Sequence, residues 1–287
     1  MTCYRTASVD GLKIFYRESG DASSPVLLLL HGFPASSFMY RDLMERLAHR
    51  FHLIAPDYPG FGYSDAPTKE QFDYTFDGLA GIMERFVEQL GLTTYGLYMQ
   101  DFGGPVGFRM AIRNPQKVSF LVVQNANAYE EGLPESFWAP AKALWEDPSP
   151  ANFEAIRSVA MSLAALEWNY THGVRHPERI SPDSWMLQDA LLARPGNKDA
   201  MLALLHDYGS NLARYPAWQA YFRRCQPPLL VVWGKNDVIF PPAGAHAYRR
   251  DLEEVDFHLL DTGHFALEDS GEEIASHIER FHQRLAS

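Results

Sequence analysis

Short apolar runs alternate with helix-spaced segments over the first 128 residues. Residues 25–30 (Pro-Val-Leu-Leu-Leu-Leu), 51–56, 95–99 and 118–124 are nearly continuous in apolar character, as expected of strands covered on both faces. Residues 12–17 alternate instead and read as a half-exposed strand. Between these runs, residues 38–48, 76–90 and 108–113 carry helical spacing, with Gly91 as a stop signal. Strand and helix in alternation predict an α/β fold with a mostly parallel sheet and helices on both faces.

The texture changes at about residue 129. As far as residue 226 strand signals vanish and helical spacing dominates. Trp138, Trp145, Trp168, Trp185 and Trp218 fall here, with Pro148, Pro150, Pro177, Pro182 and Pro195 as punctuation. The alternation then resumes, with strands over 228–234 and 256–260 and helices over 243–252 and 268–285. The expected organisation is a core of residues 1–128 and 227–287, interrupted by a helical cap over 129–226.

Composition narrows the function classes. The chain has 287 residues, 46% of them hydrophobic, which is enough for a large core. A net charge of −11 disfavours nucleic acid and anionic membrane as partners. Two cysteines, Cys3 and Cys225, form no metal-binding spacing and no disulfide framework. The first residues show no apolar signal segment, and the run at 26–30 is too short to span a bilayer, so a cytoplasmic location is expected. No phosphate-cradling glycine loop is present, and no cofactor is expected. Monomer and homodimer are equally open.

The chemistry centres on Thr94-Tyr95-Gly96-Leu97-Tyr98-Met99-Gln100-Asp101-Phe102-Gly103-Gly104. A strand ends, a carboxylate follows, and two glycines open a helix. A lone Asp before a helix is ordinarily an N-cap. Here the layout is that of a nucleophile elbow with aspartate at the serine position of Gly-x-Ser-x-Gly. Two partners stand where such a residue needs them. Asp237, in Trp233-Gly234-Lys235-Asn236-Asp237, follows one strand; His264, in Thr262-Gly263-His264-Phe265, follows the next. Loops at the carboxyl ends of parallel strands converge on one crevice, which would gather Asp101, Asp237 and His264.

With His31-Gly32-Phe33-Pro34 and Asp57-Tyr58-Pro59-Gly60-Phe61-Gly62-Tyr63-Ser64 added, five motifs stand in the order of the α/β-hydrolase superfamily, which the chain resembles over essentially its whole length. Aspartate at the elbow is similar to the epoxide hydrolase and haloalkane or haloacetate dehalogenase branch. The resemblance implies that Asp101 attacks carbon and forms an alkyl-enzyme ester. His264, oriented by Asp237, would then activate water, and the backbone N–H groups of Phe33 and Phe102 would hold the oxyanion.

The leaving group separates the candidates. Dehalogenases of this branch place an indole after the nucleophile, whereas Phe102 stands here. Haloacetate dehalogenases place arginines beside it, whereas Phe102 and Pro105 stand here; Arg109 further along is expected to make only a surface ion pair. Epoxide hydrolases use cap tyrosines, and Leu205-His206-Asp207-Tyr208-Gly209-Ser210-Asn211 resembles the segment carrying one. Tyr208 is the first candidate donor and Tyr170 the second, with His172 and Tyr215 as rivals. Gln100, where epoxide hydrolases commonly have His, matches the haloalkane group instead. The preferred expectation is opening of small hydrophobic, neutral epoxides to diols. Carbon–halogen cleavage is the alternative; esterase activity and a non-catalytic ligand receptor rank lower.

Overall fold

The computed structural model describes residues 1–286. Its core is an eight-stranded sheet among the described residues. The strands are β1 (Cys3–Val9), β2 (Leu12–Ser19), β3 (Val26–Leu30), β4 (His52–Pro56), β5 (Tyr95–Gln100), β6 (Val118–Gln124), β7 (Leu229–Gly234) and β8 (Val255–Leu260). Their spatial order is β1-β2-β4-β3-β5-β6-β7-β8. Only β1 and β2 run antiparallel to their neighbours; from β4 to β8 every pairing is parallel. The largely apolar runs β3, β5 and β7 occupy the buried interior of the sheet, with β5 near its middle. Two hydrophobic clusters, one on each face, account for their burial.

Strand β1 went unread in the sequence because its first four residues are exposed and polar or small. It forms by hairpin pairing with β2 through Asp10-Gly11, at φ of 50° and 82°. Asp-Gly with both residues left-handed matches the right-handed twist of the strands it joins.

Helices α1 (Arg41–Leu47), α2 (Phe76–Gln89) and α3 (Gly103–Arg113) flank the first half of the sheet. Between β6 and β7 no residue is in a strand. That stretch holds α4 (Glu135–Glu146), α5 (Pro150–Ala160), α6 (Leu163–Thr171), α7 (Asp183–Leu192), α8 (Asn197–Asp207) and α9 (Tyr215–Cys225). The chain then returns to the core with α10 (Pro242–Ala247) and α11 (Leu267–Leu285). The α-helix expected over 243–252 is α-helical only to Ala247 and continues as a 3-10 turn over Tyr248–Arg250.

One expectation is overturned. Arg109 is not on the surface: it is 1% exposed, beneath the helical insertion. Its Nη1 donates to Asn211 Oδ1 at 2.7 Å and to the Pro105 carbonyl at 3.1 Å, and its Nε lies 3.3 Å from Asp77. The rings of Phe76 and Trp218 sit 5.7 and 5.5 Å from the guanidinium. It therefore fastens α3 to the segment that carries Tyr208.

Candidate active site

Asp101, Asp237 and His264 each follow a strand at its carboxyl end. Asp101 comes directly after β5, in left-handed backbone with φ of 50°, a conformation few side chains occupy without strain. Two glycines permit this turn. A Cβ on Gly103 would lie 2.0 Å from the Leu30 carbonyl, and one on Gly32 would lie 2.3 Å from the Asp101 Cβ. Helix and loop can approach Asp101 only because neither residue has a side chain.

The loop after β3 is held in place by its own buried groups. Asp57 Oδ1 accepts from Ser37 N–H at 2.7 Å, and its Oδ2 accepts from Tyr63 N–H at 2.8 Å. His31 Nδ1 donates to the Gly32 carbonyl at 3.0 Å, and its Nε2 accepts from Tyr58 N–H at 3.4 Å. Burial depresses the His31 pKa to about 4, so it serves as a neutral spacer. This frame points Phe33 N–H at Asp101 Oδ1, 2.5 Å away. The N–H of Phe102 also acts on this carboxylate, favouring its charged form.

His264, four residues beyond β8, meets both carboxylates. Its Nδ1 donates to Asp237 Oδ2 at 2.8 Å, and its Nε2 lies 3.8 Å from Asp101 Oδ2. Asp237 Oδ1 in turn accepts from Ile239 N–H at 2.8 Å. Burial disfavours the imidazolium, but Asp237 and Asp101 outweigh it and raise the His264 pKa. Burial raises Asp101 to about 6, against the opposing pull of His264 and of the Phe33 and Phe102 N–H groups. Asp101, Asp237 and His264 are thus gathered as the chain order led one to expect.

Two neighbours were not singled out as partners. Asn125 follows β6 with φ of 43°; its Nδ2 donates to Asp237 Oδ2 at 2.7 Å and its Oδ1 accepts from Gly234 N–H at 3.1 Å. Its place after a parallel strand, equivalent to that of Asp101 after β5, was the available signal. Gln100 lies within hydrogen-bond reach of His264, with the two Nε2 atoms 2.9 Å apart. A third tie, Gln124 Nε2 donating to the His264 carbonyl at 3.1 Å, anchors the histidine loop to the sheet.

A cavity of about 530 Å³ opens from Asp101, Phe102, Phe33 and His264. Its other walls come from the insertion, including Trp138, Ala141, Ile156, Trp168 and Leu205, and it reaches Val159, which is 61% exposed. The side chains with polar atoms that the insertion brings to the wall are Ser162, Asn169, Trp138 and Trp168. Among the described residues no Lys or Arg lines it.

The two candidate tyrosines do not line this cavity. Tyr208 is fully buried behind it, stacked on Trp138 at 4.9 Å and tilted against Phe102 at 5.7 Å. Its hydroxyl has no well-formed hydrogen bond, although the Tyr215 hydroxyl lies close by. Tyr170 is stacked on Phe265 at 4.1 Å and belongs to the opposite hydrophobic cluster. Aromatic packing holds that ring away from the cavity wall, so Tyr170 is not placed to donate a proton there. Two indoles of the insertion are committed to backbone carbonyls: Trp138 donates to Ile239 at 2.8 Å and Trp145 to Leu205 at 2.9 Å.

Residues 25–270 match the sequence model of the alpha/beta hydrolase fold family. The chain belongs to this family. Relatives of this α/β-hydrolase include an uncharacterised hydrolase of Saccharomyces cerevisiae, 42% identical over 271 residues, which are 94% of this chain and 93% of the relative. Haloalkane dehalogenase 2 of Mycobacterium tuberculosis is 30% identical over 283 residues, 94% and 91% of the two chains. Epoxide hydrolase 3 of Xenopus tropicalis is 26% identical over 242 residues, 81% of this chain and 64% of the relative. The α/β-hydrolase is accordingly an enzyme of a family whose members include both dehalogenases and epoxide hydrolases. No helix among the described residues is long and apolar enough to cross a membrane.

Proposed function

We propose that this enzyme hydrolyses small, neutral, apolar epoxides through Asp101, beneath an insertion over residues 129–226 that acts as its cap. The observation that carries the reading is the placement of one buried carboxylate. Asp101 faces an apolar cavity, has two backbone N–H groups at its back, and has His264 3.8 Å away. A carboxylate is ionised without help from a base and can displace a leaving group at saturated carbon, giving an alkyl-enzyme ester. His264, oriented by Asp237, takes a proton from water, the oxygen of which adds to the Asp101 carbonyl carbon. The N–H groups of Phe33 and Phe102 then stabilise the oxyanion, and its collapse releases the diol. Attack on an ordinary ester carbonyl would give a mixed anhydride instead, which disfavours esterase chemistry.

The leaving group favours oxygen over halide at the nucleophile itself. Phe33 and Phe102, whose rings flank Asp101 with centroids 5.6 Å apart, offer a departing halide no donor. An epoxide oxygen departs as an alkoxide and needs a proton. Tyr208 has an unspent phenol one ring behind Phe102, and a shift of Trp138 would admit it to the cavity. The absence of Lys and Arg among the described lining residues supports neutral substrates over haloacetates. Cleavage of carbon–halogen bonds is the second reading, and one observation favours it: Trp168 and Asn169 line the cavity and a phenol does not.

A parallel assay on styrene oxide, 1-bromobutane, fluoroacetate and a nitrophenyl ester separates these readings. Diol from styrene oxide should dominate, and Tyr208→Phe should slow it by about 10²-fold or more. Halide release that exceeds diol formation and survives Tyr208→Phe would replace the epoxide reading with the second one.

A further inference from the structure

Gln100 is wholly buried, closes β5 and immediately precedes Asp101. Its amide nitrogen lies 2.9 Å from His264 Nε2, while its amide oxygen has no hydrogen-bond partner. Since Nδ1 of His264 carries its proton towards Asp237, Nε2 of the neutral ring is a bare lone pair. That atom can accept only from the N–H half of the amide. The amide takes this orientation although it leaves Oε1 orphaned, a condition buried oxygens seldom bear. The orphan faces Gly32, where a Cβ would come within 2.5 Å of it.

We propose that Gln100 is a positioning residue acting through His264. Its amide covers the lone pair of the neutral imidazole while Asp101 attacks, then rotates to present Oε1 once the ring holds a proton. The catalytic consequence rests on the reading of Asp101 and His264 given above; the effect on His264 itself does not.

The charges around the imidazole explain why such a device is useful. Asp237, from the loop after β7, and Asp101, from the elbow after β5, both draw a proton onto His264. The aromatic rings packed against it, Phe240 and Phe265, are apolar, and Asn169 and His172 of the insertion share a small cavity with it. A protonated His264 would ion-pair with Asp101 across 3.8 Å and hold back the electron pair needed for attack. An N–H donated to Nε2 stabilises the neutral ring and opposes that outcome. In the second step water displaces the amide from Nε2. The water O–H bond breaks, its proton goes to Nε2, and its oxygen bonds to the ester carbon of Asp101. The imidazolium now has a proton where the lone pair was, and a half-turn of the amide gives that proton an acceptor. Breakdown of the tetrahedral adduct returns the proton to the departing product oxygen.

The test follows the His264 titration by NMR of the ¹⁵N-histidine-labelled full chain, alone, as wild type, Gln100→Met and Gln100→Glu. Melting temperatures check the fold, and the near-isosteric Glu variant carries the test if Met does not fold. Losing the donor should raise the His264 pKa by about half a unit to one unit in the Met variant. The Glu variant should raise it further, because a carboxylate favours the imidazolium. The acid limb of turnover should move to higher pH with it, because hydrolysis needs the neutral ring. In uniformly ¹⁵N-labelled wild type, the Gln100 side-chain amide signals should change over the same pH range. A His264 titration that stays put or falls in the folded variants overturns the role of Gln100. Displaced titrations in a protein that turns over no electrophile would support it and count against the proposed function alone.

Discussion

Replacing His264 by glutamine is expected to stop the enzyme with substrate attached. Attack by Asp101 needs no base, so the first step survives, whereas hydrolysis needs an acceptor for the water proton at Nε2. Intact-protein mass spectrometry after incubation with styrene oxide should show one added substrate mass, located on the peptide that contains Asp101. Turnover should fall by about 10³-fold or more, since a general base of this kind contributes on the order of 10²–10⁴. Full turnover with no adduct would mean that the imidazole is not the base. The assignment is physically constrained, because Nδ1 is occupied by Asp237 and only Nε2 faces the carboxylate that would carry the ester.

Asp101→Asn should abolish both adduct and turnover, down to the uncatalysed background, since a neutral amide cannot displace the leaving group. The same substitution has a second effect of opposite sign on stability. The folded Asp101 carboxyl is raised by burial to about 6, above its unfolded value of roughly 3.8. The protonated form therefore favours folding. That contribution is complete below the unfolded value and is lost as pH rises through about 6. Above it, the buried charge costs on the order of 2–3 kcal/mol, which the amide avoids. Asp101→Asn should thus melt higher than wild type at pH 8, with the difference vanishing near pH 4. Equal melting at both pH values would show that the charge is not held at a cost. For wild type, kcat/KM should rise with pH through about 6 as the carboxyl ionises. That limb belongs jointly to Asp101 and His264, because the two groups are coupled.

The parts of the molecule legible in the sequence are those fixed by local chemistry. Continuous apolar runs at β3, β5, β6 and β7 can be stable only as interior strands of a covered parallel sheet, and the structure has them there. The gathering of Asp101, Asp237 and His264 follows from where their strands end, which chain order reveals. The unread features depend on contacts made across long separations. Strand β1 is held by its hairpin partner and by Asp10-Gly11 rather than by its own hydrophobicity. Arg109 is buried because the segment around Asn211, a hundred residues onward, folds over α3 and offers it an acceptor and aromatic faces. Nothing in the helical spacing of α3 could indicate that. The tyrosines illustrate the same limit. Both Tyr170 and Tyr208 lie in the insertion, yet one packs on Phe265 and the other beside Phe102, a difference set wholly by how the helices dock.

The family accommodates several reactions on one scaffold, so the family alone does not choose among them. What bears on the reaction in this chain is the set of groups around one carboxylate: two backbone donors behind it, two phenylalanines beside it, and an imidazole held on its far nitrogen by Asp237 and Asn125 through a shared oxygen.

The most direct measurement is a single turnover of styrene oxide in H₂¹⁸O with enzyme in excess, followed by mass analysis of the Asp101 peptide and of the diol. An alkyl-enzyme ester opened at the carboxyl carbon should leave one ¹⁸O on Asp101 and an unlabelled diol. Label in the diol with none on Asp101 would mean that water attacks the substrate directly, contradicting the role of Asp101.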